Sequence, residues 1–208
     1  KVKCPDVKKA FDYYKNNGIN VLSEINVSPL GIEHFYIQDP WGNVFEIEKD
    51  DHIFMNVDLL TGGSNGAVLG VSDMEKSIEF YSKLLDYDIV AFDKTDVFED
   101  LKCLNGGNCK VRRVELKRSK PIMGPLSDIM GPSHLELIQN FEIEAHKTLE
   151  GRWWGDPGFI HLCFDIRNME KIREEAKALG HDFVCDSGDN VDMGNANGRF
   201  TYVEDPDG

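Results

Sequence analysis

The sequence predicts an α+β fold built from repeated βαβββ modules. Three observations carry the prediction. One order of signals recurs three times along the chain: a strand, a capped amphipathic helix, then short strands. The distance from helix cap to terminating glycine is the same in the first and third copies, twelve residues from Asp6 to Gly18 and from Asn168 to Gly180. The turn Asp39-Pro40-Trp41-Gly42 of the first copy returns as Asp205-Pro206-Asp207-Gly208 in the third.

In the first copy Asp6 is the N-cap, and Val7, Ala10, Phe11 and Tyr14 fall at i, i+3, i+4, i+7 on one helix face. Gly18 supplies the C′ residue. Strands are expected over Ile19–Val27, His34–Gln38 and, after the turn, Asn43–Glu48. In the second copy Ala67–Val71 reads as a buried strand. Asp73 caps a helix with Met74, Ile78, Tyr81 and Leu85 on its apolar face, and strands follow near Asp88–Phe92, Val111–Leu116 and His134–Ile138. The long stretch Lys94–Lys110, with Gly106-Gly107, reads as a loop, and loops of that length are often functional. In the third copy Phe159–Ile166 is expected as a strand. Asn168 caps a helix with Met169, Ile172, Ala176 and Leu179 inward, and strands follow near Asp182–Cys185 and Arg199–Val203.

The helix of the second copy differs in type from the glycine-ended helices of the first and third. The alternation suggests that copies two and three form a pair, residues 63–208, composed of modules 63–143 and 156–208 with the last strand of the latter missing. Residues 1–50 would then be the second module of an N-terminal pair whose first module is missing. Lys1 carries no initiator Met and the final turn has no strand after it, so the natural protein is expected to extend at both ends.

The chain has 208 residues and a formal charge of -14, which disfavours nucleic acid and anionic membrane as partners and tolerates a cation or a small neutral substrate. No apolar stretch reaches the length of a membrane span and no signal-peptide pattern opens the chain. The five cysteines are odd in number and lack C-x-x-C spacing, so they read as reduced thiols of a cytoplasmic protein.

The segments Gly70-Val71-Ser72-Asp73-Met74-Glu75-Lys76-Ser77-Ile78-Glu79-Phe80-Tyr81 and Asp39-Pro40-Trp41-Gly42-Asn43-Val44-Phe45-Glu46 resemble the opening and the close of a vicinal oxygen chelate module. That superfamily includes glyoxalase I, bleomycin-resistance proteins, methylmalonyl-CoA epimerase and extradiol dioxygenases. The resemblance implies modules paired into open half-barrel sheets, with metal ligands on the first and last strands of each. A first-strand ligand lies seven residues before the cap, which gives His161 in the third copy and Gly66, a lost ligand, in the second. A last-strand carboxylate lies seven residues after the turn Asp, which gives Glu46 in the first copy. The matching position in the second is Glu136.

Strand alternation turns His134 and Glu136 to one face, and Glu46 and Glu48 likewise. A carboxylate facing a barrel interior is costly unless paired or metal-bound. The alternative leaves Glu136 solvated, with Leu135 and Leu137 in the core. The resemblance implies a divalent metal (Zn, Ni, Fe, Mn or Co) on His161, Glu136 and Glu46, or no metal at all if the loss at Gly66 marks an abandoned site. The expected activity is a metal-dependent lyase or isomerase acting on a small oxygenated substrate, with enolate or enediolate stabilisation and Glu136 moving the proton. The alternatives are a metal-free small-molecule binding protein and an iron-dependent ring-cleaving dioxygenase. Trp153 and Trp154 are candidates to line a cup mouth or to pack two modules together. Arg113, within Val111-Arg112-Arg113-Val114, is a candidate cation for an acidic substrate. Paired modules could assemble within one chain or across a homodimer.

Overall fold

The computed structural model describes the chain except residues 56, 125, 148, 149, 154, 189, 190, 193, 195 and 196 and the side chain of residue 197. The first copy comprises β1 (Val2–Cys4), α1 (Val7–Asn16), β2 (Asn20–Val21), β3 (Asn26–Val27), β4 (Glu33–Gln38) and β5 (Val44–Lys49). The second comprises β6 (Gly66–Gly70), α2 (Met74–Leu85), β7 (Ile89–Asp96), β8 (Val111–Lys117), α3 (Ser127–Met130) and β9 (His134–Asn140). The third holds α4 (Met169–Ala178), β10 (Phe183–Asp186), β11 (Val191–Asp192), β12 (Asn197–Gly198) and β13 (Thr201–Val203).

The caps act as expected. The side chains of Asp6, Asp73 and Asn168 accept from the backbone N–H of Lys9, Lys76 and Lys171. Gly18 and Gly180 end their helices with φ of 75° and 86°, a region that glycine enters without a Cβ penalty.

The first two copies share one topology. In each, the first strand pairs in parallel with the last, β1 with β5 and β6 with β9, and the remaining strands are antiparallel. Each sheet carries its helix on the outer face. Phe35 and Ile47 pack with Val7, Ala10 and Phe11 of α1. Val114, Leu116, Leu135 and Leu137 pack with Met74, Phe80, Tyr81 and Leu84 of α2. A seam joins the sheets: Lys3 N donates to Gly63 O (2.8 Å), Gly62 N to Lys3 O (2.7 Å) and Asn65 N to Lys1 O (3.0 Å). The result is an open cup, with the inner faces of both sheets turned to a common interior.

The expected pairing joined copies two and three. The copies that enclose the cup are one and two, residues 1–50 and 63–143. The third packs on the back of the second, where Ala176, Ile172 and Leu179 join the core beneath α2. Its turn is tied there too: Tyr81 Oη donates to Asp205 (2.5 Å) and Ser72 N to Asp207 (2.9 Å).

One correction concerns residues 159–166, which form no strand. In the other copies the first strand hydrogen-bonds to the last, and among the described residues no strand pairs with this apolar run. Phe159 is left exposed. The expected strand over Ile19–Val27 is also broken, into β2 and β3, both paired to β4.

Candidate functional site

Alternation along four strands fills the cup interior with charge. Inward positions are His34 and Tyr36 on β4, Glu46 and Glu48 on β5, Arg113 and Glu115 on β8, and His134 and Glu136 on β9, all of them buried. The intervening residues Phe35, Ile47, Val114, Leu135 and Leu137 face the helices. Glu136 therefore faces inward and is buried rather than solvated, while Leu135 and Leu137 face the helix-side core.

Lys1 lies at the centre. Its Nζ stands 2.9 Å from Glu46, 3.2 Å from Glu48 and 2.9 Å from Glu136. Glu48 also accepts from Asn65 Nδ2 (2.7 Å) and meets His134 Nε2 at 2.7 Å. The other nitrogen of His134 is 2.9 Å from Glu115. His34 stands between Glu46 (2.8 Å) and Asp100 (3.3 Å). Arg113 donates to Asp100 (2.6 Å) and its Nε is 2.5 Å from Glu136.

Asp100 arrives from the loop after β7, where Glu99–Leu101 make a single 3₁₀ turn. Phe98 and Leu101 pack with Tyr36 and Val111, and the Arg113 guanidinium lies 5.3 Å from the centre of the Phe98 ring. The long loop thus closes over the ion cluster. Two surface recesses, of about 190 Å³ beside Phe80, Leu179 and His181 and about 230 Å³ beside Ile53, Met55 and Leu59, have no member of the cluster among their described lining residues.

Burying this many charges is tolerable only because each has an opposite neighbour. Burial alone would lower the pKa of both histidines. The flanking carboxylates outweigh it, Asp100 and Glu46 at His34 and Glu115 and Glu48 at His134, and raise each to about 9. Burial would likewise raise Glu46, Glu48, Asp100 and Glu115. The cations beside them outweigh it and hold all four below the usual carboxylate range.

The sign of the pH dependence follows. The histidines contribute stability that is complete below their ordinary 6.5 and is lost as pH rises through about 9. The carboxylates contribute above their ordinary range and lose it as pH falls through their lowered values. The urea midpoint is therefore expected to fall between pH 6 and pH 9.5, by an amount worth roughly 1–3 kcal/mol per histidine. The double change His34→Gln and His134→Gln should flatten that slope. An unchanged slope in the double variant would refute the assignment.

Of the residues singled out in the sequence, the structure brings together Glu46, Glu136 and Arg113. His161 is not with them. It is exposed, and its ring packs edge-on against Tyr202 at 5.5 Å. Trp153 is 83% exposed, and Trp154 lies outside the described residues. Arg113 is 2% exposed and committed to Asp100 and Glu136, so it presents no charge to the surface. Lys1, His34, Asp100, Glu115 and His134 were not anticipated as members of one cluster. A signal for most of them was present: four strands each carry polar residues two apart, as in His34-x-Tyr36, Glu46-x-Glu48, Arg113-x-Glu115 and His134-x-Glu136.

Among the described residues no group of three or more His, Cys, Asp or Glu is placed to hold a metal ion. Their five cysteines are all free, and no described helix is long and apolar enough to cross a membrane.

Comparison with solved structures finds the same fold in glyoxalase I from Zea mays, at 19% identity and a TM-score of 0.55, covering 100% of this chain and 63% of that one. A mutant of the same enzyme gives 18% identity and a TM-score of 0.56, covering 100% of this chain and 64% of that one. The chain thus spans less than two thirds of the length of these relatives. A comparison with curated proteins gives no match. Residues 63–208 match the family described as the Glyoxalase/Bleomycin resistance protein/Dioxygenase superfamily. With that match over most of its length, and the paired βαβββ cup to go with it, the chain belongs to the glyoxalase/bleomycin resistance protein/dioxygenase superfamily.

Proposed function

We propose that this protein is a lyase- or isomerase-type enzyme of its superfamily, acting on a small oxygenated substrate, with its chemistry served by the third copy at His161. One observation carries the choice of copy: in the cup of copies one and two, the carboxylates that would do the work are already engaged. Glu46 and Glu136 face Lys1, His34 and Arg113, and the Asp100 loop closes over them.

The resemblance implies a divalent metal at Glu46 and Glu136, and the residues there do not fit one as they stand. A cation would have to displace the Lys1 ammonium from between three carboxylates, and the neighbouring imidazole is itself paired to acid. No catalytic step is therefore routed through that cup, and Glu136 serves as a partner of Lys1 and Arg113 rather than as a proton carrier. His161 keeps the ligand position seven residues before its cap, on an exposed stretch that a substrate can reach.

The same saturation favours a second reading, a metal-free protein that binds a small apolar or aromatic compound. Metal content of the full-length protein distinguishes the two. His161→Ala is expected to lose the metal while Glu136→Gln keeps it. The reverse pattern would return the chemistry to the first cup, and metal-free wild-type protein would leave the binding role.

A further inference from the structure

We propose that the Lys1 ammonium is a resident counter-ion at the point where this cup would otherwise hold a divalent cation, and that removing its charge converts Glu46, Glu136 and His34 into a divalent-metal site. The inference concerns the cup of copies one and two and does not depend on where catalysis takes place.

The first ground is convergence. Three carboxylates on two different sheets come within 3.2 Å of a single nitrogen: Glu46 and Glu48 from β5, and Glu136 from β9. The strand directs that nitrogen. Val2 and Cys4 pack on the α1 side, so Lys1 and Lys3 point into the cup. Lys3 donates to Met130 O (2.8 Å), which leaves Lys1 alone among the three acids.

The second ground is the geometry of those contacts. Glu48 is held by directed hydrogen bonds from Asn65 and His134 as well as Lys1. Glu46 and Glu136 differ. Both oxygens of each are buried within ion-pair distance of cations, yet among the described residues none meets hydrogen-bond geometry. The same is true of both ring nitrogens of His34, which is fully buried beside Glu46. Oxygens aimed at a charge but not along its N–H bonds suit an ion without directional preference better than they suit an ammonium.

The third ground is charge. Glu46, Glu48, Asp100, Glu115 and Glu136 face Lys1, Arg113 and two imidazoles. Without Lys1 the acids are under-compensated in a site closed to water, and an uncompensated buried charge is strongly destabilising. A divalent cation would supply the missing charge and would stabilise the fold by mass action. Carboxylate oxygens with one imidazole, deprotonated on binding, suit Mn²⁺, Co²⁺ or Zn²⁺.

The test uses the full-length protein dialysed against Co²⁺, with bound metal counted and the visible absorption of the ion recorded. Lys1→Ala is expected to hold one ion per chain more than the wild type and to melt at a higher temperature with metal than without. Adding Glu136→Gln to Lys1→Ala should remove the extra ion, and adding His161→Ala should leave it. If Lys1→Ala does not fold unaided, recovery of the fold on refolding with Co²⁺ supports the proposal. A folded Lys1→Ala with no extra ion overturns it, as does an extra ion indifferent to both Glu46→Gln and Glu136→Gln. Failure of both Lys1→Ala and the volume-matched Lys1→Met to fold with metal present overturns it as well.

Discussion

Arg113→Ala is expected to cost about 3–5 kcal/mol of unfolding free energy, the range for removing one partner of a buried ion pair. The guanidinium holds two acids at once, Asp100 at 2.6 Å and Glu136 at 2.5 Å, and is 2% exposed. Its loss strands both carboxylates and releases the tie between β8 and the loop that covers the cup. The next residue back provides the comparison. Arg112 pairs with Asp93 and Glu75 at the surface, and exposed pairs contribute roughly 0–1 kcal/mol. Urea unfolding followed by circular dichroism should separate Arg113→Ala from Arg112→Ala several-fold. Equal losses would mean that the cup interior is wetter than its geometry implies. Arg113→Met should behave like Arg113→Ala, because the missing charge matters more than the missing volume.

Gly66→Ala should be more severe still. A Cβ at this position would sit 1.7 Å from the carbonyl oxygen of His134, a backbone atom with no rotamer to change, and the residue has a φ of +118°. The backbone conformation alone costs on the order of 1–3 kcal/mol for a non-glycine residue. Relieving the clash means parting β6 from β9 at the residue pair where their register begins, Gly66 against His134. We expect soluble yield to collapse, or the urea midpoint to fall by more than in any surface variant. Gly70→Ala, at the other end of β6 with open space around it, should cost no more than about 1 kcal/mol. Comparable behaviour of the two variants would show that the close approach at Gly66 is not what fixes the glycine. The same contact leaves no room for a side chain at residue 66.

Much of the fold was legible because it is locally encoded. Caps, helix periodicity and terminating glycines recur in matched order, and α1, α2 and α4 begin one residue after Asp6, Asp73 and Asn168. Period-two alternation also predicted that Glu46 and Glu136 share their faces with Glu48 and His134. The seam between β1 and residues 62–66, which joins the first two copies, has no local signature. The apolar run 159–166 met every local criterion for a strand, yet a strand needs a neighbour. Arg113 reads in the sequence as a candidate cation for an acidic substrate. On a strand, however, consecutive residues take opposite faces, and Arg113 shares its face with Glu115. Asp100 comes from a loop whose sequence gives no hint that it reaches another module's histidine.

The bonds between β1 and residues 62–66 run along the edge of the ion cluster, and that placement bears on how the molecule comes apart. Were the two halves to separate there, the ion pairs that cross between the sheets would be broken: Lys1 would leave Glu136, His34 would leave Asp100, and Glu48 would leave His134. Each half alone would be a sheet with one greasy side and one freshly hydrated, charged side. Partial opening is thereby disfavoured, and residues 1–143 should melt as one all-or-none unit even though their two halves are built on separate copies of the same plan.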